Sequence, residues 1–115
     1  MAEPDTEIGL PPERVAEMLR EDGAELIDVR EPHEWEAGHI DGARHIPLDR
    51  LPSEAESIGG ERPVVFQCRG GNRSAMAAQA FREAGYDAYN MEGGLSAWAE
   101  RGLPLEPEDG HVAGR

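Results

Sequence analysis

The sequence predicts an α/β protein, a mostly parallel sheet with helices packed on both faces. Three observations carry that expectation. Short runs at Glu25–Val29, Val64–Phe66 and Asp87–Met91 have strand length and β-rich composition. Between them lie segments whose apolar residues recur every three or four positions, the spacing of one helix face. Glycine or proline marks most of the changeovers. Strands that alternate with helices require crossover connections, and these place the helices over both faces of a parallel sheet.

The elements follow in order. Ile8 to Leu10 has the composition of a short edge strand. Pro11-Pro12 then opens a helix to about Arg20, with Val15, Met18 and Leu19 along one face; prolines suit a first helical turn, where a missing N–H is no loss. Glu21-Asp22-Gly23 reads as a turn. The strand Glu25–Val29 leaves Asp28, Arg30 and Glu31 at its carboxyl end, the end that borders the functional crevice in open α/β sheets. Pro32 starts a short helix through Ala37, with Trp35 directed inward and Gly38 at its end. His45 and Ile46 form a brief strand, and Leu51, Ala55 and Ile58 mark a weak helix before Gly59-Gly60. Asp87 to Met91 is the last strand, Gly93-Gly94 a turn, and Leu95 to Arg101 a short helix that carries Trp98.

The chain is organised around Pro63 to Gly85. Val64, Val65 and Phe66 read as a strand buried on both faces, and the only cysteine, Cys68, follows. Arg69-Gly70-Gly71-Asn72-Arg73 is too glycine-rich for a strand and too polar for a core, so it forms a tight loop. A helix then runs on, with Ala77, Ala80, Phe81 and Ala84 on one face and Gly85 placed to end it. A sulfur between a strand and the first turn of a helix lies among backbone N–H groups that have no intrahelical partner. Such donors, with Arg69 and Arg73, move a thiol from its ordinary pKa of ~8.5 towards thiolate. An unpaired cysteine is more often an inert core residue, but two glycines and two arginines at the mouth of a helix favour a reactive one.

Bulk properties set limits on function. At 115 residues the chain is one domain, large enough for a core without disulfides or metal. The expected core spans about 8–105, with flexible tails at 1–7 and 106–115; the second has nothing to bury. The net charge of −13 argues against nucleic acid or an anionic membrane as partner, since both need a basic surface. All eleven basic residues are arginine, which removes a lysine nucleophile. One cysteine forms no internal disulfide, so chemistry begun on Cys68 must end on another molecule. The acidic N-terminus has neither the apolar stretch of a secretory signal nor the character of a transit peptide, and no run reaches membrane-spanning length. A cytoplasmic setting is expected.

The segment Cys68-Arg69-Gly70-Gly71-Asn72-Arg73-Ser74 resembles the active-site loop of the rhodanese (sulfurtransferase) domains. Leu26-Ile27-Asp28-Val29-Arg30-Glu31, then Glu34-Trp35-Glu36-Ala37-Gly38-His39-Ile40-Asp41-Gly42-Ala43 and Ile46-Pro47-Leu48, is similar to that family's N-terminal signature. Gly93-Gly94-Leu95-Ser96-Ala97-Trp98, leading to Gly102-Leu103-Pro104, is similar to its C-terminal one. Three motifs in the family's order cover nearly the whole chain. The resemblance implies a five-stranded sheet between two helical layers, with Cys68 as nucleophile, the amides of Arg69, Gly70, Gly71, Asn72, Arg73 and Ser74 binding substrate, and Arg69 or Arg73 holding the sulfonate end of the donor. It also implies that Asp28, Arg30 and Glu36 support the loop. Ser74 is placed to cap the helix that follows, and its hydroxyl is also placed to contact the sulfur bound at Cys68.

A cysteine phosphatase must be tested against the loop, because it too uses a cysteine, a ring of amides and an arginine. Its loop needs five residues between cysteine and arginine. Here four intervene before Arg73, the size that accompanies sulfur within the superfamily the chain resembles. His33, His39, His45 and His111 are scattered without ligand spacing, so no metal and no cofactor is expected. Trp35 and Trp98 read as core anchors. The expected activity is transfer of sulfane sulfur from thiosulfate or a similar donor to cyanide, a thiol or a protein acceptor. The alternative is a sulfur-relay or regulatory module that holds a persulfide for a partner and turns over free thiosulfate poorly.

Overall fold

In the computed structural model, residues 7–113 are described. The expected N-terminal tail lies almost wholly outside them. The five strands are β1 (Gly9–Leu10), β2 (Glu25–Asp28), β3 (Arg44–His45), β4 (Val64–Gln67) and β5 (Ala88–Met91). They form one parallel sheet in the order β1-β5-β4-β2-β3. Alternation along the strands sorts the core into two layers. Leu26, Val65, Tyr89 and Met91 face one way, onto α1 (Pro12–Arg20) and onto the last helix, Gly94–Glu100, whose Leu95 and Trp98 are buried. Ile27, Val64, Phe66 and Ala88 face the other way, onto the long helix Asn72–Glu83 with Ala77, Ala78 and Phe81.

We number the helices in chain order: α2 (Pro32–Ala37), α3 (Leu51–Glu54), α4 (Asn72–Glu83) and α5 (Gly94–Glu100). The weak helix expected between Leu48 and Ile58 is divided: 3₁₀ turns at Leu48–Arg50 and Ala55–Ser57 flank the single turn of α3. The register between its apolar positions is too sparse to hold a longer helix. On α4 the buried stripe is Ser74, Ala77, Ala78 and Phe81, whereas Ala80 and Ala84 are exposed. The expected stripe was displaced because alanines on either side of a helix carry almost the same apolar weight, and only the sheet decides which are covered.

Trp35 does not enter the core. It is half-buried and stacks between His39 and His45, with ring centroids 3.7 and 4.8 Å away. The segment after Leu105 also differs from expectation. His39 and Glu106 exchange backbone hydrogen bonds, the His111 amide donates to the Ala37 carbonyl at 2.9 Å, and Val112 packs on the first core layer. Acidic composition hid a segment held by its backbone and one apolar side chain. No helix of the described residues is long and apolar enough to cross a membrane.

The connections leaving β2 and β4 diverge, β2 leading to β3 and β4 to β5 on the opposite side. A crevice therefore opens between the carboxyl ends of β2 and β4. Asp28 and Arg30 stand at one end and Cys68 at the other.

Candidate active site

Cys68 follows β4 directly, and three residues later the chain must enter α4. Gly71 makes that reversal with φ of +98°, a left-handed conformation that favours glycine. Its surroundings are also tight, since a Cβ there would lie 3.2 Å from the Gly93 nitrogen. Gly71 thereby becomes the N-cap of α4. The amides of the first turn have no intrahelical acceptors, and two of them turn to the sulfur: Gly71 N–H at 3.1 Å and Ser74 N–H at 3.5 Å from Sγ. The Ser74 hydroxyl stands 3.4 Å from the same atom.

Burial pushes the Cys68 thiol up, but the Ser74 hydroxyl and the amides of Ser74, Gly71 and Arg73 outweigh it, and the net direction is below the ordinary thiol range. Ser74 does not cap the helix; its hydroxyl lies 2.5 Å from Asn90 Oδ1 on β5. A hydroxyl has one proton to donate, and Asn90 is the nearer acceptor. The amides are therefore the constant support of the sulfur.

The loop is held from outside as well. The Cys68 carbonyl accepts from Leu95 N–H at 2.7 Å and the Arg69 carbonyl from Ser96 N–H at 3.0 Å. Gly94, at φ of +60°, comes so close that a Cβ would lie 2.6 Å from the Arg69 oxygen. The Gly93-Gly94 turn is thus the backing plate of the cysteine loop.

A cavity of about 400 Å³ opens over the sulfur, lined by Cys68, Arg69, Gly70, Asn72 and Arg73. The two arginines at its mouth differ. Arg73 donates to both oxygens of Glu34, at 2.9 and 3.0 Å, a bidentate pair. That Arg73 pairing, together with the Glu31 N–H at 2.9 Å, holds the Glu34 carboxyl down at about 2 although burial opposes it. Arg69 has no carboxylate partner among the described residues; its Nε donates to the Ala113 carbonyl at 3.2 Å.

At the carboxyl end of β2, Arg30 and Asp28 form a fully buried pair, Nε to Oδ1 at 2.9 Å and Nη2 to Oδ2 at 2.8 Å. Arg30 also donates to the Gly38 carbonyl at 2.8 Å, which ties β2 to the end of α2. Removing either partner would leave the other charge buried and uncompensated. Glu36, expected to join this group, is exposed on α2, and the acid that reaches the loop is Glu34. The two lie on different sides of a short helix. A signal for Glu34 was present: Glu31-Pro32-His33-Glu34 has capping-box spacing, and both of its reciprocal hydrogen bonds form. Asn90 carried no such signal, because it meets Ser74 only where α4 packs on β5. Among the described residues no group of acidic, histidine and cysteine side chains could hold a metal ion.

Residues 11–101 match the family model described as a rhodanese-like domain. A Bacillus subtilis protein named YqhL is 47% identical over 76 residues, 65% of this chain and 60% of that protein, so the chain spans less than two thirds of its length. The thiosulfate sulfurtransferase GlpE of Pseudomonas aeruginosa is 37% identical over 95 residues, 82% of this chain and 86% of that one. In structure, a rhodanese-related protein from Thermoplasma volcanium superposes with a TM-score of 0.80 at 27% identity, covering 86% of this chain and 97% of that one.

Proposed function

This chain belongs to the rhodanese-like domain family, and from that premise we propose that it transfers sulfane sulfur from thiosulfate or a similar donor to a thiophilic acceptor through a persulfide on Cys68. The observation that carries the reading is the sulfur itself, buried at the base of an open cavity with the Gly71 and Ser74 amides directed at it.

The Cys68 thiolate attacks the outer sulfur of the donor. A new S–S bond forms while the bond to the sulfonate sulfur breaks, and sulfite leaves with that electron pair. The Gly71 and Ser74 amides stabilise the thiolate before the step and the persulfide anion after it, as an oxyanion hole does. Cyanide, a thiol or a protein acceptor then attacks the outer sulfur of the persulfide and returns the Cys68 thiolate. Covalent catalysis in two half-reactions gives ping-pong kinetics. Such a thiolate needs a reducing compartment, which fits the cytoplasm.

Intact-mass measurement tests this. Wild-type protein incubated with thiosulfate should gain one sulfur atom that cyanide removes, and Cys68→Ser should gain none while keeping its fold. Sulfur uptake by Cys68→Ser would sink the mechanism. Parallel kinetics with thiosulfate and with thiol or protein acceptors separate an enzyme of free thiosulfate from a relay module. In the relay, thiosulfate would saturate only far above cellular concentrations.

A further inference from the structure

The register of the sheet sets Asn90 beside the sulfur. On β5 it pairs with Phe66 of β4, so its side chain emerges on the face shared by Phe66 and Cys68, the face that α4 covers. Ser74, buried in the first turn of α4, closes over both. Its hydroxyl lies 2.5 Å from Asn90 Oδ1 and 3.4 Å from Cys68 Sγ. The first separation is that of a hydroxyl donating to a carbonyl oxygen, and the hydroxyl has one proton for two acceptors. Asparagine is a poor strand residue, yet this one is buried between Tyr89 and Met91. Burial of its amide is tolerated because Ser74 supplies a hydrogen bond.

We propose that Asn90 is a positioning residue of the sulfur site: it competes with Cys68 Sγ for the Ser74 proton and so keeps the thiolate a stronger nucleophile than its full set of donors would leave. The Gly71 and Ser74 amides point at the sulfur, at 3.1 and 3.5 Å, whatever the hydroxyl does. A third donor fully committed to Sγ would stabilise the thiolate further, and a thiolate loses intrinsic nucleophilicity as its pKa falls. Asn90 holds that third donor back. Resting on the sulfur-transfer reading for its use in the reaction, the competition explains why a hydroxyl beside the sulfur is not surrendered to it. The charged groups around Cys68 are Arg69 in the loop, Arg73 on α4 with Glu34 of α2 bound to it, and the closed Asp28–Arg30 pair at the end of β2. Strand β5 carries no charged side chain, so Asn90 reaches the sulfur only through Ser74.

The test is the pH profile of Cys68 alkylation by neutral iodoacetamide in the full chain, followed by intact mass. The thiolate attacks the methylene carbon, a C–S bond forms, and iodide leaves with the electrons of the C–I bond; no sulfur is transferred. Asn90→Leu removes the competing acceptor and changes no charge. It should raise the acid dissociation constant of Cys68 about three- to tenfold, the worth of one ordinary hydrogen bond, and should lower the limiting rate at high pH about twofold. Both effects should vanish on a Ser74→Ala background, so that the double variant matches Ser74→Ala alone. Asn90→Val, smaller and favourable in a strand, should show the same pattern and guards against an Asn90→Leu protein that simply folds badly. An unchanged constant in both Asn90 variants overturns the proposal, as does a shift that persists without the Ser74 hydroxyl. A lowered constant does so too, since it would mean that Asn90 turns the Ser74 proton towards the sulfur instead of away. A protein that takes no sulfur from thiosulfate yet shows the expected shifts supports the competition and tells against the transfer reading.

Discussion

Glu34 shows how much a single side chain fixes in this site. It is 2% exposed, accepts the Glu31 amide, and grips Arg73 with both oxygens. Its pKa in the folded chain, about 2, lies below the ordinary glutamate value of 4.5. A carboxyl depressed in this way stabilises the fold fully above pH ~4.5, and the contribution is lost as the pH falls through about 2. A shift of that size corresponds to about 3 kcal/mol at most. Glu34→Gln should therefore lower stability in urea by about 2 kcal/mol at pH 7 and by far less near pH 2. An equal loss at both pH values would mean that the carboxylate charge is not what matters. At the same scale, the arginines were legible in the sequence only as a pair beside the cysteine. Which of them is neutralised depends on an acid 39 positions away.

At the scale of elements, the loop from β4 to α4 is the part most nearly written in local sequence. An apolar run, a lone cysteine, two glycines and a resumption of helical spacing lead to a strand, a nest of amides and a helix. Gly71 needs its left-handed φ for that path, while Gly70 is unhindered, with nothing within 4 Å of a Cβ placed on it. The Gly93-Gly94 turn is different, because a turn is visible in sequence but its task is not. Gly94 combines a φ of +60° with contact on the Cys68 and Arg69 carbonyls. Gly94→Ala should cost about 2–4 kcal/mol, from strained backbone and displaced carbonyls together, and should reduce sulfur uptake by Cys68 in the remaining folded protein. Gly70→Ala, as the control, should stay within about 0.5 kcal/mol of wild type. Urea midpoints and intact masses of both variants check the contrast; a Gly94→Ala protein with normal stability and uptake would remove the backing role from the turn.

Across the whole molecule, the parallel sheet brings the carboxyl ends of β2 and β4 together and so assembles Asp28, Arg30 and the cysteine loop in one crevice. The same molecule carries a net charge of −13, a field that repels an anionic donor. Screening acts over ~30 Å at 0.01 M salt and ~8 Å at 0.15 M. At low salt the distant carboxylates are felt at the mouth, and at physiological salt the groups beside it dominate: Arg69, the loop amides, and Arg73 with its Glu34 partner. The kcat/KM for thiosulfate should accordingly rise severalfold between about 10 and 150 mM salt. A fall over that range would show that local cations govern approach at every ionic strength.

The sequence by itself determined the α/β class, the order of strands and helices, and the cysteine loop with its amide nest. These rest on periodicity, turn residues and neighbours within about ten positions, all of which local chain chemistry dictates. Tertiary structure alone decided that Glu34 rather than Glu36 meets Arg73, that Asn90 receives the Ser74 hydroxyl, that Trp35 stacks between two histidines outside the core, and that residues 106–113 lie against α2 and reach Arg69. Each of those pairings joins elements brought together only by the folded sheet or by the docking of residues 106–113. Their partners share no pattern along the chain, so packing had to choose them.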